Sequence, residues 1–177
     1  MWFFVDKSGH VSPPGGEKRG PWWRMQHERA MLRGNHPARI DDKGRLKVPN
    51  GFRTFIESQY GLELFVTSIT GEFARLYPMA VWLEIERKLA AVPTTNPSKL
   101  RFLDRVNFFG QVVSMDKQGR VLLPQLLRES AAMTGEVSVL GLQNHLAVWN
   151  QKRLHERLFK KEPFTDEDGR ALSEFGI

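Results

Sequence analysis

Apolar residues alternate along the chain at every second position in two places. Leu46 and Val48 lie on either side of Lys47, and Val121 and Leu123 occupy the equivalent positions on either side of Leu122. Side chains two positions apart point to the same face of a strand, so each pair predicts a short strand with one buried face. A proline follows each strand and is expected to end it, because proline cannot donate to a central ladder.

Each of these strands follows a turn that belongs to an internal repeat. Residues 41–45 (DDKGR) recur 75 positions later as residues 116–120 (DKQGR), and Arg53 matches Arg128 in the same register. An aspartate side chain can accept hydrogen bonds from the backbone of a turn, and glycine can adopt the positive φ that such a turn needs. The repeat therefore predicts two equivalent hairpin units.

Helical spacing of apolar residues predicts helices after each strand and between the two copies. Ser98 is a suitable N-cap for a helix over residues 99–109, and residues 81–89 and 154–159 form further helix-like runs. The helices that follow the two strands are expected to bury Phe52, Phe55 and Ile56 in the first copy, and Leu126, Leu127 and Ala131 in the second.

Composition removes several classes of function. The 177 residues are 41% hydrophobic and 26% charged, which is typical of a globular protein. No apolar run approaches the length needed to span a bilayer. Cysteine is absent, so disulfides, thiolate metal sites and cysteine nucleophiles are excluded. The five histidines lack metal-ligand spacing, and we find neither a P-loop nor a paired nucleophile and base. We therefore expect no catalytic residue and no metal site.

Residues 1–30 differ from the rest of the chain. They combine several prolines and glycines with three of the five tryptophans and show no sustained periodicity. We expect a disordered leader. Two alternatives follow: the segment is a genuine arm whose cations touch phosphate, or it is upstream sequence read as protein, with translation starting at Met31.

The net charge of +6 suits a polyanionic partner if the cations cluster. Three stretches of sequence then identify a resemblance. Residues 31–39 (MLRGNHPAR) and the two DxxGR turns with their following strands resemble the MraZ family of bacterial regulators. The resemblance covers residues 31–160. It implies an α+β, mainly β fold, in which tandem SpoVT/AbrB-like swapped-hairpin repeats form one closed pseudo-twofold β-structure with flanking helices.

The resemblance also implies an organisation and a function. We expect a first DNA-binding repeat at 35–81, connecting helices at 82–109, a second repeat at 110–153, and a C-terminal helix and tail at 154–177. The expected function is sequence-specific binding of double-stranded DNA, with repression of the protein's own division and cell-wall gene cluster. The protein would bind tandem promoter repeats as a ring-like homo-oligomer in the cytoplasm, on the nucleoid, without enzyme activity, cofactor, membrane or small-molecule ligand.

The candidate DNA-reading residues are Arg45 and Arg120. An arginine can donate two hydrogen bonds to guanine O6 and N7, and a rigid glycine turn can present it at a groove edge. The same loop arginines carry DNA contact in the family. For Asp41 and Asp116 an ion pair that fixes the turn is the favoured interpretation. The remaining candidates are expected at phosphates: Lys43, Lys47 and Lys117, with Arg33 and Arg39 as weaker ones.

Two other classes of binding protein remain open. An antitoxin-like protein-binding module can use the same fold, although such modules usually carry one hairpin copy and a longer wrapping tail. An RNA-binding module is less favoured, because the chain lacks an RRM aromatic motif and a GXXG loop. Tyr77, Trp82 and Trp149 are expected in the core rather than stacked on bases.

Overall fold

The computed structural model of the protein describes residues 32–177, so the predictions made for residues 1–30 lie outside it. Its strands are β1 (Leu32–Ile40), β2 (Arg45–Lys47), β3 (Glu63–Thr67), β4 (Ala74–Pro78), β5 (Gln111–Ser114), β6 (Arg120–Leu122), β7 (Gly135–Gln143) and β8 (His145–Asn150). Its helices are α1 (Asn50–Tyr60), α2 (Met79–Ala90), α3 (Pro97–Phe108), α4 (Gln125–Ser130), α5 (Gln151–Glu156) and α6 (Asp166–Ser173), with a π-helical segment at Arg157–Lys161.

The eight strands form one antiparallel sheet in the order β5-β3-β4-β8-β7-β1-β2-β6. The two end strands, β5 and β6, are consecutive in the chain, and Asp116 N donates to Arg120 O across the turn between them at 2.9 Å. The sheet is therefore nearly closed into a barrel. This confirms the predicted α+β, mainly β fold with flanking helices.

The two copies of the repeat interlock through β2 and β6. Leu46 pairs with Val121, which is its own equivalent in the other copy. The hydrogen bonds beyond this pair are equivalent too, since Val48 N donates to Gly119 O at 2.9 Å and Leu123 N donates to Gly44 O at 3.0 Å. The pseudo-twofold axis that relates the two copies therefore passes through the ribbon formed by β2 and β6.

The inner face of the ribbon is apolar, as the alternation predicted. Leu46, Val48, Val121 and Leu123 are all buried in the main core. Helices α1 and α4 contribute further residues from each copy to that core; these include Phe52 and Ile56, and Leu127 and Ala131 just after α4.

One predicted core residue is wrong. Leu126 is 44% exposed. Residues four apart lie on one face of a helix, so Leu127 and Ala131 face the core together while Leu126 lies on an adjacent face.

A second apolar cluster lies where α2 and α3 pack on the sheet. Phe65 and Trp82 stack with their ring centroids 4.2 Å apart, and Tyr77 packs beside them. Trp149 stacks on Phe73 at 4.1 Å within the main core. The prediction that Tyr77, Trp82 and Trp149 are core residues is confirmed.

Helix α3 begins earlier than the sequence predicted. Its N-cap is Asn96, whose Oδ1 accepts from Ser98 N at 2.9 Å and from Lys99 N at 3.1 Å. Pro97 occupies the first helical position, where its missing N–H costs no hydrogen bond. The prediction of Ser98 as N-cap is therefore wrong, because the residue before the proline takes that role.

Candidate nucleic-acid interface

The first DxxGR turn is closed by its aspartate. Asp41 Oδ1 accepts from Lys43 N at 3.0 Å and from Arg45 N at 2.9 Å, while Gly44 N donates to the Asp41 carbonyl at 2.8 Å. Gly44 has a φ of +79°, a conformation that other residues adopt only with strain. The types and order of these residues therefore determine the local backbone.

The second turn repeats this geometry in the other copy. Asp116 Oδ1 accepts from Gln118 N at 2.8 Å and from Arg120 N at 2.9 Å. Gly119 has a φ of +74° and donates to the Asp116 carbonyl at 2.8 Å. The two turns hence share one backbone design.

Each aspartate also pairs with the arginine of its turn. Arg45 Nε and Nη2 both lie 2.8 Å from Asp41 Oδ2, and Arg120 Nε lies 2.8 Å from Asp116 Oδ2. In each turn the arginine's backbone N–H is the largest cause that lowers the pKa of the aspartate below its usual 3.8, and the guanidinium lowers this pKa further. The prediction that these aspartates fix the turns is confirmed.

The ion pairs leave hydrogen-bonding capacity on both arginines. A guanidinium carries five N–H donors, and the aspartates take the Nε side of each fork. Within residues 32–177, no protein group accepts from Nη1 of Arg45 or of Arg120. The side chains are 30% and 27% exposed, respectively. Both guanidinium groups can therefore still donate to a partner outside the chain.

The β2–β6 ribbon brings the two arginines to one surface. Arg45 lies opposite Leu122 and Lys47 lies opposite Arg120, while the residues between them point into the core. Arg45 and Arg120 are thus diagonal neighbours, a relation that separates their Cα atoms by about 7–8 Å. We call this surface, with Arg45, Lys47, Arg120 and Leu122, the outer ribbon face.

A shallow depression extends the outer ribbon face towards β1. Its lining includes Arg39 together with the three cations of the ribbon, and Asp41 and Asp42 also contribute to it. Four cations and two carboxylates therefore share the depression. Lys47 also donates through Nζ to the Gln118 carbonyl, which ties the ribbon to the second turn.

Of the other predicted site residues, some lie in the turns beside the outer ribbon face and one lies away from it. Lys43 and Lys117 are exposed within the two turns. Arg33 is exposed at the opposite end of β1 from Arg39, paired with Leu142, and does not line the depression. The structure thus brings Arg39, Arg45, Lys47 and Arg120 together and leaves Arg33 apart.

Two arginines that the sequence analysis left without a role also contact the site. Arg53 of α1 donates through Nη2 to the Lys117 carbonyl in the second turn at 3.1 Å. Arg128 of α4 packs against Gly44 in the first turn. The sequence shows that Arg53 and Arg128 occupy equivalent positions in the repeat. It does not show that each arginine contacts the turn of the other copy, because these contacts depend on the β2–β6 pairing.

The fold and the paired turns together define a tandem-repeat β-protein with a basic ribbon at the junction of its copies. A family model described as "MraZ protein, putative antitoxin-like" matches residues 31–105 and again residues 110–175. The chain belongs to the MraZ family.

Known relatives agree with this assignment. "Transcriptional regulator MraZ" of Acidobacterium capsulatum is 52% identical over 147 residues, which cover 83% of this chain and 100% of the relative. The protein of the same name from Koribacter versatilis is 51% identical over 148 residues, with the same coverage of both chains. That of Chromobacterium violaceum is 37% identical over 120 residues, covering 68% of this chain and 81% of the relative. The family is thus one of transcriptional regulators, a non-enzymatic role.

Proposed function

We propose that this protein regulates transcription by binding double-stranded DNA in a sequence-specific manner through the outer ribbon face. The observation that carries the proposal is the pairing of β2 with β6, which places Arg45 and Arg120 as diagonal neighbours on one surface. An isolated DxxGR turn would offer one arginine. The paired turns offer two arginines, on a ribbon whose opposite face is buried in the core.

The chemistry of the two arginines supports base reading. A bidentate contact from arginine to guanine O6 and N7 is the commonest specific contact in the major groove, and a two-stranded β-ribbon fits that groove. Successive base pairs rise by about 3.4 Å. Backbone positions about 7–8 Å apart place the two arginines within reach of bases separated by roughly two base-pair steps or more. The aspartates fix the Nε side of each group and so reduce the conformational freedom lost on binding.

The surrounding cations suit the DNA backbone. Lys43 and Lys117 are exposed in the turns, and Arg39 borders the ribbon. Cations of this kind orient a protein on the duplex through phosphates without reading sequence. Lys47 has the same role from within the ribbon, since an ammonium group has three donors and only one is required for Gln118. Arg33 would contact DNA only if the duplex extended along β1.

The regulatory mode follows from the small size of the site. One ribbon makes few base contacts, so high specificity requires several ribbons acting together on repeated sequences. We therefore propose a ring-like homo-oligomer that binds tandem promoter repeats. We propose further that it does so on the nucleoid and represses its own gene cluster, and the relatives' names as transcriptional regulators support a regulatory role. Light scattering should show an oligomer at working concentration. A monomer that binds one isolated repeat tightly would contradict this part of the proposal.

Footprinting on the DNA upstream of the protein's own gene tests the proposed function. We expect wild-type protein to protect a set of repeated sites, and Arg45→Ala and Arg120→Ala each to weaken that protection. Arg101→Ala is the matched control, because Arg101 is an exposed arginine of α3 that contacts Ser98 and lies outside the outer ribbon face. Equal footprints for all four proteins would contradict the proposal. No footprint, together with copurification of a second protein, would favour the antitoxin-like alternative.

A further inference from the structure

We propose that Arg53 and Arg128 are positioning residues that brace the two DNA-reading turns across the repeat, each acting on the turn of the other copy. The inference rests on the proposed function, because it assigns these residues to the same DNA-reading site. Neither residue belongs to the outer ribbon face. They act from the helices that follow each strand.

Arg53 connects the first copy to the second turn. Its helix, α1, belongs to the first copy, yet its Nη2 donates to the Lys117 carbonyl at 3.1 Å. Its side chain also packs across Gly119, where an added Cβ would lie 2.6 Å from Arg53 Cδ. On its own helix, Arg53 Nε is held by Glu57 Oε1 at 2.7 Å. The arginine therefore joins a fixed helix to the backbone that carries Arg120.

Arg128 makes the reciprocal connection from the second copy. A Cβ on Gly44 would lie 2.6 Å from Arg128 Nε, so the guanidinium packs directly on the first turn. Arg128 Nε also donates to the Leu123 carbonyl at 3.1 Å. Leu123 N in turn donates to Gly44 O at 3.0 Å. The first turn, which carries Arg45, is thus held by a helix of the second copy.

The glycines of both turns have a second function in this arrangement. Their positive φ forms the turn, and their missing side chain makes room for the arginine of the other copy. Each turn is consequently restrained from within by its aspartate and from outside by an arginine. Base reading requires a donor held within about 0.5 Å of its productive position, so loss of the outer restraint should affect the arginine of the restrained turn.

The contacts predict a crossed pattern of effects. Removing Arg53 should impair reading by Arg120, although Arg53 belongs to the copy that contains Arg45. Removing Arg128 should impair reading by Arg45. A general loss of stability would instead weaken binding to all sequences alike, and the loss of a direct phosphate contact would lower the salt slope by about one unit.

The experiment compares binding profiles at one fixed salt concentration. Affinities are measured for a panel of single-base-pair variants of the protected site with wild type, Arg45→Ala, Arg120→Ala, Arg53→Ala, Arg128→Ala and the control Arg101→Ala. We expect Arg53→Ala to lose discrimination at the base pairs where Arg120→Ala loses it, and Arg128→Ala at those of Arg45→Ala. The loss should be smaller than the roughly ten-fold or greater effect of a lost arginine–guanine contact.

Two additions make the outcome decisive. Arg53→Met and Arg128→Met keep most of the apolar stem and replace the alanine variants if these do not fold. The double variant Arg53→Ala/Arg120→Ala should discriminate no less than Arg120→Ala alone. The inference would be overturned if Arg53→Ala and Arg128→Ala kept the wild-type binding profile, weakened binding to all sequences equally, or lost discrimination at the base pairs read by the arginine of their own copy. A lower salt slope for either variant would also overturn it. If Arg45→Ala and Arg120→Ala themselves leave the profile unchanged, the proposed function fails instead.

Discussion

The two turns share a backbone but differ in the charges around them. In both, aspartate accepts the same backbone hydrogen bonds and pairs with the arginine, and glycine has a φ of +79° or +74°. On the ribbon, however, Lys47 of the first copy corresponds to Leu122 of the second, which is 49% exposed. Beside the ribbon, Arg39 corresponds to Ser114. Turn geometry requires a few residue types, which both copies keep, whereas the exposed positions beside the turns differ between the copies.

This difference gives the two halves of the outer ribbon face different roles in binding. The first half carries most of the cations that suit phosphates. The second half offers Arg120 beside an apolar side chain. We therefore expect both arginines to contribute to sequence reading, while the electrostatic part of the binding energy comes mainly from the first copy.

The largest expected effect is that of removing both arginines. Each single alanine variant should lose about 1–3 kcal/mol of binding free energy for the preferred site. The double variant Arg45→Ala/Arg120→Ala should bind preferred and unrelated DNA almost equally, because only phosphate contacts remain. Binding isotherms at fixed salt measure this, with thermal unfolding as the check on the fold. A double variant that keeps wild-type discrimination would show that neither arginine reads bases.

Substitutions of the turn glycines test the backbone geometry that the two turns share. Gly44→Ala and Gly119→Ala should each lower the free energy of unfolding by about 1–3 kcal/mol, because alanine is strained at positive φ; the added Cβ would also displace the arginine side chain of the other copy. Urea unfolding measures the change. Gly51→Ala is the control, since it lies in α1 with open space around it and should be neutral or slightly stabilising. Equal stability for all three variants would contradict the shared turn geometry.

Exchanging the side chains at the equivalent positions 47 and 122 tests the difference in charge between the two halves of the outer ribbon face. Leu122→Lys should strengthen binding to all DNA and raise the salt slope by about one unit, whereas Lys47→Leu should lower it by about one unit. The relevant measurement is the logarithm of the binding constant against the logarithm of salt concentration. Unchanged slopes for both variants would place the ribbon outside the phosphate contacts.

The smallest expected effect is on the stability of the folded protein at acidic pH. The pKa values of Asp41 and Asp116 are lowered in the folded protein, so both groups stabilise it above their ordinary pKa of 3.8, and this stabilisation is lost as the pH falls through the folded-state values. Asp41→Asn/Asp116→Asn should therefore be less stable than wild type near neutral pH and approach it in acid. Melting temperatures across this pH range show the difference. A gap that persists in strong acid would exclude the ion pairs as its source.

The sequence predicted what is local and missed what depends on distant pairing. The roles of Asp41, Gly44 and their equivalents followed from turn chemistry and from the repeat. The burial of alternate residues on β2 and β6 followed from periodicity. The contacts of Arg53 and Arg128 could not be predicted, because they exist only after β2 pairs with a strand about 75 positions away. Leu126 was misplaced because a short helix carries too few residues to define its buried face.

Substitution of 7-deazaguanine at each guanine of the protected site tests the central claim most directly, because it removes the N7 acceptor and keeps base pairing intact. At one or more guanines, we predict that wild-type binding weakens by up to about ten-fold, because one of the two hydrogen bonds of the bidentate contact is lost. At the same guanines, Arg45→Ala or Arg120→Ala should be insensitive to the substitution. Wild-type affinity that is unchanged at every guanine would contradict the claim that these arginines read DNA from the major groove.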